Sequence, residues 1–102
     1  GPMSRTSRKR RPKAHAQQTH AIRRALERFD LDLTPADLDT IVRQIQSNSA
    51  RHLDDTSNRV GRFLVLLPPD DVPAVACYDR HRKTITTFLL PGMVPGAEEQ
   101  LR

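Results

Sequence analysis

In the stretch THAIRRALERFD, residues 19–30, a histidine is followed by arginines four and eight positions later: His20, Arg24 and Arg28. At helical pitch this spacing stacks the three side chains in one row. The question such a row raises is whether it is an ordinary solvated face or one half of a site that cleaves nucleic acid without a metal. RNA cleavage needs a base to take the proton from the ribose 2′-hydroxyl and an acid to protonate the departing 5′-oxygen. It also needs cations to stabilise the charge that builds on the phosphoryl oxygens. An imidazole, which titrates at about pH 6.5, can serve as base or acid. A guanidinium grips phosphate through two parallel hydrogen bonds. The plain alternative is a solvated helix face, with Arg24 and Arg28 paired to Glu27 or Asp30.

The elements that must carry this row are legible in the pattern. Ala21, Ile22, Ala25, Leu26 and Phe29 recur at helical spacing and predict a helix over residues 17–29, closed by Asp30 and Asp32. Thr34, Pro35 and Asp37 mark a second helix start: a capping hydroxyl, a proline at the first position and an acid at the positive end of the dipole. Leu38, Ile41, Val42 and Ile45 give it an apolar stripe, and it should end near Ser47 and Asn48. The segment that follows reads as loop, with a short edge strand around residues 50–53. Apolar runs too short for helices predict strands over 62–68, 74–79 and 84–90. Helices first and strands after, joined by hairpin-length turns, indicate an α+β fold. The expected architecture is two N-terminal helices on one face of a three- to four-stranded antiparallel sheet.

Residues 1–16 hold almost no large apolar side chain and read as a disordered basic arm, with Gly1 and Pro2 as a cleavage scar. Residues 17–91 form the expected domain and 92–102 a tail or short final helix. The net charge of +5 is unevenly spread. Residues 1–28 carry nine Lys/Arg and one acid, whereas residues 29–102 carry eight Lys/Arg and eleven acids. Arg8, Lys9, Arg10, Arg11 and Lys13 therefore make a patch suited to nucleic-acid phosphates. Cys77 is the only cysteine, so no intrachain disulfide forms, and its mid-strand place suggests a packed thiol. His15 falls in the arm, His52 in a polar loop and His81 in the basic turn DRHRK, where a contact role suits it. No two histidines are spaced as metal ligands, and we expect neither metal nor cofactor. No apolar run approaches membrane-spanning length, so a cytoplasmic protein without membrane contact is expected.

Five pieces, taken in order, resemble a known group. They are HAIRRALER, LTPADLDTIV, RFLV, AVACYD and TITTF. The group is the toxin-RNase superfamily that includes barnase, colicin-type tRNA nucleases and RelE-like toxins. Within it, the pattern is similar to a small, uncharacterised bacterial family whose first helix reads approximately H-A-x-x-R-x-x-x-R. The resemblance implies that the helix histidine faces a sheet arginine and threonine across one cleft. It carries over His20, Arg24, Arg62 and Thr86 as candidate catalytic residues, with Arg28 and Tyr78 as further RNA contacts. The implied activity is metal-independent RNA endonuclease cleavage, with RNA, tRNA included, as substrate. A second reading is a non-catalytic phage- or plasmid-type module that binds a host protein, an antitoxin or nucleic acid. The net-acidic body suits that reading. A third is a helix-turn-helix regulator reading DNA through Arg43, Gln44 and Gln46.

Overall fold

The computed structural model describes residues 13–101, with side chains from residue 16 onward. Helix α1 (Lys13–Phe29) and helix α2 (Pro35–Gln46) precede four strands: β1 (Arg51–Asp55), β2 (Val60–Leu67), β3 (Val72–Asp79) and β4 (Thr84–Leu89). The strands form an antiparallel meander in the order β1-β2-β3-β4. Both helices pack on one face, α1 mainly along β4 and α2 mainly against β2. The expected α+β architecture is the one observed.

Helix α1 begins at Lys13, four residues before the expected start at residue 17, so residues 13–16, expected in the disordered arm, are helical. Residues 13–16 are good helix formers but carry no large apolar side chain, so amphipathic spacing could not reveal them. The buried line of α1 runs through Ala21 and Ala25, both fully buried, and small enough to let the helix backbone lie close to the sheet. Leu26, one position on, faces out and is 50% exposed. At the start of α2, the Thr34 hydroxyl accepts from the Asp37 backbone N–H (3.1 Å) and the Asp37 carboxylate accepts from the Thr34 N–H (2.9 Å). This capping box satisfies two N–H groups that have no partner within the helix.

Phe63, Val65 and Leu67 of β2, Ala74, Ala76 and Tyr78 of β3, and Ile85 and Phe88 of β4 face the helices. They meet Ala21, Ala25, Leu33, Leu38, Ile41 and Ile45 there. Ile85 and Phe88 are three apart, a spacing that simple alternation forbids. A bulge resolves it: Cys77 pairs with Thr87 and Tyr78 with Ile85, leaving Thr86 as the extra residue. A second irregularity in β1 sets His52 opposite Phe63 and Asp54 opposite Arg62, with Leu53 between.

The opposite face carries a smaller cluster. Residues 92–101, expected as a tail or short final helix, return beneath the sheet: Val94 and Ala97 are buried with Val75 against Leu53, Leu64 and Leu89. Among the described residues, no helix is long and apolar enough to cross a membrane.

Phe88 has no exposed surface and sits where α1 meets the sheet. Phe88→Ala should cost about 3–5 kcal/mol of stability. In urea denaturation this appears as a lowered midpoint with an unchanged slope.

Candidate nucleic-acid interface

The structure does not bring His20, Arg24, Arg62 and Thr86 together. Phe63 packs toward the helices, so its neighbour Arg62 projects from the other face of the sheet. There Arg62 grips Asp54 with two bonds, Nε to Oδ1 at 2.6 Å and a terminal nitrogen to Oδ2 at 2.5 Å. That hydrogen-bonded pair holds the Asp54 carboxyl below its ordinary range. Arg24 donates to Glu27 at 2.6 Å, the plain helix pairing. Thr86 turns its hydroxyl onto the Cys77 carbonyl (3.2 Å) as the extra residue of the bulge. His20 is exposed on α1 and has no hydrogen-bond or ion-pair partner among the described residues. A cleft joining His20 to Arg62 would have to pass through the sheet.

The remaining candidates divide. Arg28 is the member of the row that reaches the sheet, donating to the Phe88 carbonyl at 2.7 Å, which makes it an anchor for α1 on β4. Tyr78 is 6% exposed and its hydroxyl accepts from Gln46 (3.1 Å), so its ring is a core wall and not an open contact for a base. Arg8, Lys9, Arg10 and Arg11, and the side chain of Lys13, lie outside what is described. The helix-turn-helix reading loses two of its three base-reading groups, while Arg43 stays exposed on α2. Gln44 is tied to the Leu66 backbone, donating to its carbonyl (3.0 Å) and accepting from its N–H (3.2 Å), and Gln46 is held by Tyr78. Cys77 is a packed thiol, raised above its usual range mainly by burial.

What the fold does assemble is a charge division. Helix α1 (17 residues) and strand β3 (8 residues) each span about 25 Å, and both run between the same two ends of the molecule. At one end, Leu31, Asp32, Leu33 and Asp37 meet Pro68 and Pro69 around a cavity of about 180 Å³. Asp30, Asp39, Asp70 and Asp71 lie within two residues of its lining in sequence, and none of these six aspartates is ion-paired among the described residues. At the other end lie the β1–β2 and β3–β4 turns. There Asn58, Arg59, Arg80 and His81 line a cleft of about 410 Å³, beside Arg82 and Lys83.

Asp79 builds that second end. It closes β3 with 2% of its surface exposed. Oδ1 accepts from the backbone N–H groups of His81 (2.9 Å) and Arg82 (3.0 Å), which folds the turn, and the Arg82 side chain lies 3.8 Å from Oδ2. Arg59 Nε donates to both carboxylate oxygens, at 3.1 and 3.0 Å, drawing in the neighbouring hairpin. Gln17 Nε2 donates to Oδ2 at 3.2 Å, which sets the first turns of α1 at the same end. Burial by itself would raise the Asp79 carboxyl. The Arg82 backbone N–H, the Arg59 side chain and the Gln17 amide outweigh it and hold the group far below the ordinary range.

Arg80 is positioned by a gap. A Cβ on Gly61 would lie 2.9 Å from both the Arg80 guanidinium carbon and the Asp55 carboxylate. Without that Cβ, Arg80 crosses β2, donates to Asp55 Oδ1 (2.6 Å) and lies 5.9 Å from the centre of the Phe63 ring. Asp55 is lowered by its bonds from Arg80 first and His52 second.

No protein-family model, curated protein or solved structure matches this chain. The cleft therefore rests on its own geometry. Sequence reading found His81 as a contact residue in a basic turn, but missed Asn58, Arg59, Arg80 and Gly61. DRHRK was the available signal. The pairing of that turn with Arg59, 20 residues away, had none.

The folded chain keeps Asp79 ionised to lower pH than the unfolded chain does. Its stabilisation is complete above the usual carboxylate range, near about pH 4, and is lost as pH falls below it. Asp79→Asn should cost about 2–4 kcal/mol at pH 7. In urea denaturation its gap to the wild-type chain should narrow as the pH is lowered through 4 toward 2.

Proposed function

We propose that this chain is an RNA-binding module that grips phosphates at its basic end and acts in the cytoplasm. The observation that carries the reading is the gathering of Arg59, Arg80, His81, Arg82 and Lys83 at the end where α1 begins, tied there by Gln17 and Asp79. The sequence that precedes α1, with Arg8 to Arg11, joins the chain at that same end, next to Lys13, the first residue of the helix. The positive end of the α1 dipole adds to it. Arginines already oriented by carboxylates lose less freedom on meeting a phosphate than mobile ones do.

Metal-independent cleavage is the stronger claim that the first helix suggested. It needs a base and cations on one phosphate, and the expected set lies on two faces of a sheet. Geometry supports binding better than catalysis. A host or antitoxin protein is the second reading, and the six aspartates at the far end, none ion-paired among the described residues, favour it. A basic partner would dock there.

RNA affinity should fall steeply with salt, as counterions are released from the phosphates. Arg59→Ala should lower the slope of log K against log salt by about 1. Gly61→Ala should weaken binding with every charge kept, because it pushes Arg80 out of place. Incubation with total RNA in chelator should leave the RNA intact for the wild-type chain and for His20→Ala alike. Cleavage that His20→Ala abolishes would restore the catalytic reading. Salt-insensitive RNA binding would remove the phosphate cleft.

A further inference from the structure

The basic cleft adjoins a second feature that phosphate binding does not use. His52, on β1, lies with its ring 5.1 Å from that of Phe63, tilted by 54°. Phe63 is buttressed by the edge of Tyr78 at 6.2 Å. The Arg80 guanidinium also lies over Phe63, 5.9 Å from its centre. One carboxylate oxygen, Asp55 Oδ1, holds both: His52 Nε2 at 2.8 Å and Arg80 at 2.6 Å. Two flat π-groups thus border one aromatic ring and are held by a single acceptor. Their outer surfaces stay open, with the His52 side chain 47% exposed and that of Arg80 38%.

We infer that this end takes a single-stranded polynucleotide and lays one unpaired base against His52 and Arg80. The inference rests on the nucleic-acid reading above and adds the class of strand. A base inside a duplex has both faces covered by its neighbours, so only an unpaired base can offer a face to a side chain. Arg80 belongs both to this platform and to the cleft that holds Asn58, Arg59 and His81. One arginine therefore stands between the site for a base and the site for the adjoining phosphates. Stacking on a histidine ring and a guanidinium plane tolerates any base, because every base has a π-face. The Asn58 amide, with a donor and an acceptor at the cleft, can read a base edge.

Fluorescence anisotropy on the full chain separates stacking from charge. Three probes are compared at one salt concentration: a labelled oligouridylate, an RNA duplex with the same number of phosphates, and inorganic polyphosphate, which has no bases. The oligouridylate should bind more tightly than the duplex. His52→Ala should weaken oligouridylate binding about 5- to 100-fold and leave polyphosphate binding as in the wild-type chain. His52→Phe, which keeps a flat ring, should keep the oligouridylate affinity. Duplex binding as tight as the single strand would overturn the inference, as would a His52→Ala loss of equal size on polyphosphate. Either result, with binding still salt-sensitive, leaves the RNA-binding module standing. Failure of the wild-type chain to bind any of the three probes removes both.

Discussion

Asp79 ends β3 with its carboxylate out of water, and three separate parts of the chain close on it. The β3–β4 turn donates backbone N–H groups, the β1–β2 hairpin sends Arg59, and α1 sends Gln17. A buried charge is tolerated only when donors surround it, so the carboxylate forces these elements to one place. The hairpin is further joined to the turn by the backbone bond from Arg80 N–H to the Arg59 carbonyl (2.8 Å). The position of the cationic cleft follows from that one demand for donors. Arg59 is at once a ligand of Asp79 and a wall of the cleft.

The two irregularities in the sheet decide which side chains can meet. In β4 the bulge at Thr86 keeps Ile85 and Phe88 both in the core, which even alternation could not do. In β1 the shift after His52 sends Asp54 to Arg62 on one face, while His52 and Asp55 meet Phe63 and Arg80 on the other. The sheet thus sorts its charged residues into a closed pair on the helix-free face and an open group on the helix side. Gly61 completes the sorting, since an absent Cβ leaves the path that Arg80 takes across β2.

Charge separation links these local facts to function. The sequence shows a basic first quarter and an acidic remainder, which suggests an arm attached to an acidic body. Folding redistributes this. Acidic residues 30–39 and 70–71 come together at one end, and cations 59 and 80–83 come together at the other, where α1 starts. Only one of these ends suits the polyanion proposed as partner, and it lies about 25 Å from the acidic one.

Local sequence signals are enough for the fold class and for most of the elements. Apolar periodicity, the Thr34 capping box and the breaker-bounded apolar runs suffice for two helices and a meander, because these signals act within a few residues. Helix α1 was legible only from where its stripe begins, and the C-terminal turns were not seen to pack on Val75. The candidate site was legible least. His20, Arg24, Arg62 and Thr86 have residue types suited to one reaction, yet the pleat sends Arg62 through to the other face and Asp54 neutralises it there. Only the tertiary structure decided that Arg59, Arg80, His81 and His52 share an end. Their proximity depends on strand register, two bulges and a buried carboxylate, and register joins residues far apart in sequence, where no local pattern can record it.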